Sequence, residues 1–334
     1  MSTAKTVSVL GAGAWGTGLA LVALRAGHRV RQWARDPVQA AAIASQRENR
    51  RYLPGIALPA ELAVSADFDG SLKSADLVMI ATPAQSVREL AGRLAARRAA
   101  AGNAWSPVIV ASAKGIDART GRLPAQLLAD ALPGLKIAAL SGPSFASDVA
   151  HGLPTAVTIA AENIETAAEL SRQLSAGTFR CYASDDLLGV ELGGALKNVL
   201  AIAVGAARGM KLGASAEAAL IARGFAELSR LARALGARPE TLTGLSGLGD
   251  LVLTCSQAQS RNFSHGVMLG AGGKPEGHPL AEGVFTARIA ADIAVRHGVA
   301  APIIASVADV LDRSLSPREA VIRLLERPLK SETE

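Results

Sequence analysis

Two regimes of apolar spacing divide the chain. Up to about residue 183, short β-rich runs alternate with Ala- and Leu-rich stretches of helical period, the alternation that builds βαβ units around a parallel sheet. The predicted strands are Val7–Leu10, Arg29–Ala34, Leu77–Ala81, Val108–Ser112, Ile137–Leu140, Ala156–Ala160 and Phe179–Tyr182. Several are continuous apolar runs, as in strands covered on both faces. Pro83, Pro107, Pro143 and Pro154 stand beside them, where turns belong. After Ser184 no strand pattern continues. Leu, Ile and Ala recur at three-to-four spacing, which predicts helices over about 185–207, 214–235, 260–270, 283–297, 302–313 and 317–326. The expected class is therefore α/β: a doubly wound, mostly parallel sheet domain over 1–184, then an all-α domain over 185–334 whose polar tail, Lys330–Glu334, is expected to fray.

Composition bounds the chemistry. The 334 residues suit two domains of roughly 100 to 200 residues each. Thirty-five Lys and Arg against 29 Asp and Glu leave a formal charge of +6, a field that favours anionic ligands. The densest basic clusters, Arg47 to Arg51 and Arg93 to Arg98, carry no interleaved aromatic platform, so they read as solvated faces and no nucleic-acid partner is expected. Cys181 and Cys255 are too few and too far apart for a disulfide framework, which fits a reducing cytoplasm. His28, His151, His265, His278 and His297 lack metal-ligand spacing, and no metal site is expected. The uncharged stretch Thr6–Leu24 has the length of a membrane span, but Gly11, Gly13, Gly16 and Gly18 would interrupt such a helix, so no integral membrane segment is expected.

Those glycines fit another structure. Gly11-Ala12-Gly13-Ala14-Trp15-Gly16 lies between the apolar run Val7–Leu10 and a helical pattern, giving Gly-x-Gly-x-x-Gly at a strand-to-helix turn, the dinucleotide loop of a Rossmann domain. Gly11 permits the turn, Gly13 lets a pyrophosphate approach the backbone, and Gly16 lets helix and strand pack closely. The second strand closes as Trp33-Ala34-Arg35-Asp36-Pro37. An acid at its end would hold the ribose hydroxyl of NAD, and counting from the glycines places that position at Ala34 or Asp36. If Ala34 is the register position, Arg35 lies where the 2′-phosphate of NADP would be. Asp36, before Pro37, also reads as a helix cap. NADP or NAD is expected, with NADPH favoured.

In an open α/β sheet, ligands bind beyond the carboxyl ends of the strands. Lys114 follows one predicted strand, and Ser141-Gly142-Pro143-Ser144 follows another, although each alone is an ordinary turn. In the helical half, Glu191-Leu192-Gly193-Gly194-Ala195-Leu196-Lys197-Asn198 sets a lysine among apolar and glycine neighbours at helical spacing. Partial desolvation would lower its pKa from about 10.4 toward the range useful to a general acid or base; an amine snorkelling to solvent is the competing reading. Gly244 to Asp250, followed by Ser260-Arg261-Asn262, forms a Gly-rich segment beside an arginine fork suited to phosphate or carboxylate. Helix capping by Asp250 and Ser260 would explain part of that pattern equally well.

Taken together, these blocks resemble the bacterial NAD(P)-dependent glycerol-3-phosphate dehydrogenases over nearly the whole chain. The resemblance rests on Gly-Ala-Gly-Ala-Trp-Gly-Thr at 11–17, Tyr52-Leu53-Pro54, Lys114-Gly115-Ile116, Leu140 to Ala146, Gly189 to Asn198, Gly244 to Thr254, Ser260-Arg261-Asn262 and Glu282-Gly283-Val284. It implies an all-α second domain of the 6-phosphogluconate-dehydrogenase-like type and reversible reduction of dihydroxyacetone phosphate to sn-glycerol 3-phosphate for phospholipid synthesis. Lys197 would be the proton donor and acceptor. Gly11, Gly13, Ala14, Trp15, Gly16, Arg35, Tyr52, Lys114, Ala146, Arg261, Leu280 and Glu282 would face the cofactor. Lys114, Gly142, Ser144, Lys197, Asp250, Ser260, Arg261 and Asn262 would face the substrate.

The chain departs from the pattern in places. Where the family usually shows Asn, Arg and Thr, the run Gly213–Gly224 reads Gly-Ala-Ser-Ala-Glu-Ala-Ala-Leu-Ile-Ala-Arg-Gly, and Leu280 and Phe285 replace the usual valine and arginine. Two other readings stay open at this stage: a ketopantoate or β-hydroxyacid reductase of the same two-domain build, and an NADP-sensing protein without turnover. The first would not be expected to share the Gly-Leu-Gly-Asp and Ser-Arg-Asn blocks, and the second needs no proton relay. The long apolar helix faces suggest a homodimer, though burial within one chain would account for them as well.

Overall fold

Each strand of the sheet must be covered on both faces, so successive side chains pack into two separate cores. The computed structural model describes residues 4–274, 277 and 279–328; His278 and the tail Lys330–Glu334 lie outside the described residues. Among the described residues ten strands form: β1 Thr6–Leu10, β2 Arg29–Trp33, β3 Glu48–Asn49, β4 Leu53–Ala57, β5 Ala63–Ser65, β6 Leu77–Ile80, β7 Val108–Ala111, β8 Ile137–Ser141, β9 Thr155–Ala161 and β10 Phe179–Ser184. Among them run α1 Ala14–Arg25, α2 Pro37–Gln46, α3 Phe68–Ser71, α4 Val87–Ala101, α5 Pro124–Ala131, α6 Ala146–Ala150 and α7 Ile164–Leu174. After them come α8 Leu187–Gly209, α9 Ala214–Ala234, α10 Pro239–Thr243, a π turn Leu245–Gly249, α11 Asp250–Ser256, α12 Arg261–Gly270, α13 Glu282–Arg296, α14 Pro302–Leu311 and α15 Pro317–Leu325.

The chain forms two compact units, one ending at Gly194 and taking in Glu240–Asp250, the other comprising Ala195–Pro239 and the chain from Leu251. The first holds an eight-stranded sheet in the order β10-β9-β8-β7-β6-β1-β2-β5. Every neighbouring pair is parallel except β8 and β9, and β3 pairs with β4 in a separate ribbon. Val7, Val9, Val110 and Leu140 point to one core with Leu19 and Val22 of α1; Leu10, Ile80, Ile109 and Ile137 point to the other with Leu90 and Leu94 of α4 and Leu128 of α5. The seven predicted strands all appear. The strands β3, β4 and β5 do not announce themselves in the sequence: β3 and β5 span only two and three residues, and Pro54-Gly55 interrupts the apolar run of β4.

The second unit is helical. Its α8 and α12 cross with their backbones in contact: a Cβ on Gly205 would fall 2.1 Å from Phe263 O, and one on Gly266 2.1 Å from Ile202 O. Helix α8 is long and apolar enough to cross a membrane, yet 83% of its most apolar window is buried inside the protein. The six predicted helices appear within a few residues of their expected ends. No helix was predicted between 235 and 260, where Gly244 to Asp250 reads as a glycine-rich segment, and α10, the π turn and α11 occur there. Gly244, Gly247 and Gly249 break the apolar period there, while packing supplies what propensity lacks: a Cβ on Gly247 would fall 1.9 Å from Leu242 O.

Candidate active site

The glycine loop has the shape its spacing predicts. Gly11 adopts φ +123°, and a Cβ there would lie 2.6 Å from Ala81 O. A Cβ on Gly16 would lie 2.1 Å from Gly11 O, so α1 packs on the loop only because no side chain intervenes. Gly13, the residue before α1, has no protein atom within 4 Å of its absent Cβ. That open space lies at a helix N-terminus with no acid in its first turn, which fits a pyrophosphate. The loop is held from behind. Gln32 Nε2 donates to Gly11 O (3.0 Å), while Gln39 Nε2 (2.8 Å) and Asn49 Nδ2 (3.0 Å) both donate to Ala12 O. Asn49 also donates to Thr17 Oγ1 at 2.8 Å.

At the end of β2 the two register candidates separate. Ala34 is buried and donates its N–H to Ser65 O (3.0 Å), whereas the Asp36 carboxylate accepts from Val38 N (2.9 Å) and caps α2. Arg35 between them is exposed. Trp15 is half-buried against the core, and Ala146 O lies 3.5 Å from the absent Cβ of Gly18 on α1. Tyr52 is 43% exposed, with the Arg51 guanidinium 5.1 Å from its ring centre.

Beyond the carboxyl ends of β7 and β8 the same unit gathers Lys114, Gly142, Ser144 and Asp250. Lys114 Nζ donates to Asp250 Oδ2 (2.7 Å) and to Gly142 O (2.9 Å), and Ser144 Oγ donates to that same carbonyl (2.9 Å). The Asp250 side chain is 2% exposed and that of Lys114 19%, so the pair retains one face toward solvent through the lysine. Gly142 stands at φ +145° against the Val157 backbone. Gly193 and Gly194 let the first turns of α8 come close: a Cβ on Gly194 would lie 2.5 Å from Ser141 Oγ and 3.4 Å from Lys114 Cγ.

In the helical unit, Lys197 is 6% exposed and its Nζ donates to Thr254 Oγ1 at 2.5 Å. Asn262 Nδ2 donates to Asn198 Oδ1 (2.8 Å), and Asn262 Oδ1 accepts from Gly283 N (2.8 Å), at the start of α13 beside Glu282. The tight crossing of α8 and α12 makes this chain possible. Ser260 caps α12 by accepting from Phe263 N (3.2 Å), and Arg261 opens the helix with its side chain exposed. Leu280 is 41% exposed. Lys197 is therefore buried rather than reaching solvent, and Ser260 does act as a cap. Asp250, for which helix capping was the competing reading, pairs with Lys114.

Several residues at the site were given no role by the sequence reading. Thr254 carried a signal: it stands four positions after Asp250, one turn on α11. Asn49, Gln32 and Gln39 carried none, since buried amides in or beside short elements look like surface residues until their partners are known. Among the described residues no group of three or more His, Cys, Asp or Glu could hold a metal. Cys181 and Cys255 are buried and form no disulfide, and burial pushes the Cys181 thiol up to about 12.

A glycine loop open toward a helix N-terminus, at the strand-to-helix turn of a largely parallel sheet, defines a dinucleotide-binding protein with a helical unit after the sheet. The comparisons narrow this. The family model for the N-terminus of NAD-dependent glycerol-3-phosphate dehydrogenase matches residues 6–167, and the model for the C-terminus matches 186–322. Proteins named glycerol-3-phosphate dehydrogenase (NAD(P)+) from Mesorhizobium japonicum and Chelativorans sp. are 56% and 54% identical, over 98% and 99% of this chain and 94% and 100% of their own. A crystal structure of glycerol-3-phosphate dehydrogenase from Coxiella burnetii is 38% identical with a TM-score of 0.91, covering 97% of this chain and 99% of its own. The chain belongs to the NAD-dependent glycerol-3-phosphate dehydrogenase family.

Proposed function

We propose that the protein interconverts dihydroxyacetone phosphate and sn-glycerol 3-phosphate in the cytoplasm, supplying phospholipid synthesis, with Lys197 as the acid and base. The observation that carries this reading is the buried Lys197 amine, bonded to Thr254 Oγ1 at 2.5 Å on a helix that offers no bulky neighbour at 193 or 194. When bound, the reduced nicotinamide supplies a hydride to the carbonyl carbon of the substrate. In that direction protonated Lys197 polarises the carbonyl and donates its proton to the oxygen as the hydroxyl forms; in reverse, the neutral amine removes that proton. Such a positioned proton transfer contributes typically about 10²–10⁴-fold.

The remaining roles follow from chemistry. Gly13 and the first turn of α1 take the pyrophosphate, with Gly11 and Gly16 shaping the turn and Ala14, Trp15, Ala146, Tyr52, Leu280 and Glu282 bordering the dinucleotide. Arg35, an exposed cation just past β2, takes a 2′-phosphate, which favours NADPH over NADH. Lys114, Gly142, Ser144 and Asp250 orient the substrate. Ser260, Arg261 and Asn262, at a helix N-terminus, hold its phosphate. Pairing into a homodimer belongs to this reading and is checked by light scattering.

The test is a substrate panel. The purified protein should oxidise NADPH with dihydroxyacetone phosphate and leave ketopantoate and β-keto acids untouched. Turnover of either alternative without dihydroxyacetone phosphate would overturn the reading, and dinucleotide binding without any turnover would point to a sensor.

A further inference from the structure

Two carbonyls of the dinucleotide loop are held by side chains alone. The backbone fixes the loop at its ends, where Gly11 N donates to Trp33 O (3.0 Å) and Thr17 N to Gly13 O (3.0 Å). Between those bonds, among the described residues, no backbone N–H reaches Gly11 O or Ala12 O. Gln32 of β2 serves the first carbonyl, and Gln39 of α2 with Asn49 of β3 serves the second. Thr17 Oγ1 of α1 ties the two sets together, accepting from Asn49 Nδ2 (2.8 Å) and from Gln32 Nε2 (3.3 Å). Gln32, Asn49 and Thr17 are all buried. Among the described residues, Gln32 Oε1 and Asn49 Oδ1 have no hydrogen-bond partner. A buried acceptor without a partner is destabilising, and an apolar side chain of similar size would avoid that cost. What the two amides supply in return is their donors.

A trans peptide directs its C=O and the N–H that follows to opposite sides. With Gly11 O and Ala12 O turned inward onto the amides, the N–H groups of Ala12 and Gly13 turn outward. Neither finds an acceptor among the described residues, and Gly13 borders the open space before α1. Glycine on both sides of Ala12 would otherwise leave these two peptide planes free to rotate. We propose that Asn49, Gln32 and Gln39 are positioning residues for the dinucleotide: by holding the carbonyls of residues 11 and 12 from behind, they aim the Ala12 and Gly13 N–H groups at its pyrophosphate. The proposal rests on the reading of this loop as the pyrophosphate site. Donors set in place before the ligand arrives bind it without first having to be ordered, which is where the affinity comes from.

The test removes donors without adding charge. Asn49→Leu and Gln39→Met keep nearly the same volume, and together they leave Ala12 O without a donor. By titration calorimetry the NADPH Kd should rise roughly tenfold or more in the double variant and about threefold in Gln39→Met alone. Adenosine 2′-monophosphate shares one end of NADPH but lacks the pyrophosphate, and its Kd should stay within about twofold of the wild-type value in both. An NADPH Kd that does not move, or equal losses for the two ligands as a general loosening of the fold would give, overturns the proposal. Gln39 is only half-buried, so Gln39→Met decides the matter by the same criteria if the double variant does not fold. A wild-type chain that binds neither NADPH nor NADH overturns the reading of the loop itself, and this inference with it.

Discussion

The three glycines of the dinucleotide loop look alike in sequence but do different work, and substitution separates them. Gly13 has an ordinary φ of −78° and open space where a Cβ would point, so Gly13→Ala should leave thermal unfolding within about 2 °C of wild type while weakening NADPH binding roughly tenfold or more, as the methyl meets the pyrophosphate. Gly16→Ala drives a methyl into Gly11 O and should cost on the order of 3 kcal/mol of stability, read by denaturant unfolding. Equal losses of stability in the two would remove the ligand-facing role of Gly13. At this scale much of the site is legible, because the glycines, Lys114, Lys197 and Ser260 each stand at a position whose local period or turn gives them a reason. Gln32, Gln39 and Asn49 are not legible, since their value lies in carbonyls at 11 and 12 that only the folded turn exposes to them.

Among the elements, two helices with apolar N-caps and proline at the first position, α5 and α14, borrow a buried glutamate from a longer helix. Glu191 serves α5, and Glu227 of α9 serves α14, accepting from Ile303 N (2.9 Å) and Ile304 N (3.1 Å). Burial pushes Glu227 from the usual carboxylate value up to about 7, against the lowering effect of those amides and of Arg230 and Arg327 nearby. A raised folded-state pKa means that the folded protein holds a proton the unfolded chain has released. The resulting stability is complete below about pH 4.5 and is lost as pH rises through about 7. Denaturant midpoints should therefore fall between pH 5 and pH 7.5, and Glu227→Gln should make that decline shallower; an unchanged slope would show that the carboxyl does not titrate there. Such caps cannot be read from sequence. Both depend on a partner tens of residues away, whereas β1, α1 and β2 are legible because their periods are local. The stretch from α10 to α11 was missed for the opposite reason: its glycines signal a loop until the Leu242 backbone is seen to need the space at Gly247.

For the whole molecule, the alternation of strand and helix before residue 184 and its absence afterwards foretold an α/β sheet followed by helices, and family membership agrees with the reaction that the resemblance implied. The antiparallel β9 was not foretold, because a short apolar strand carries no mark of its direction. The ordering of lysine, amide and glycine blocks along the chain also told more than any one of them, since Lys114 alone is a turn lysine until Asp250, 136 residues away, is found 2.7 Å from its amine.

The central claim is that one buried amine moves the substrate proton, and it is tested most directly at Lys197. Turnover of dihydroxyacetone phosphate by NADPH should be compared in wild type and Lys197→Ala, with dinucleotide affinity measured on the same preparations. The expected result is a loss of roughly a thousandfold or more in kcat at unchanged NADPH Kd. A variant that keeps the wild-type kcat would contradict the account.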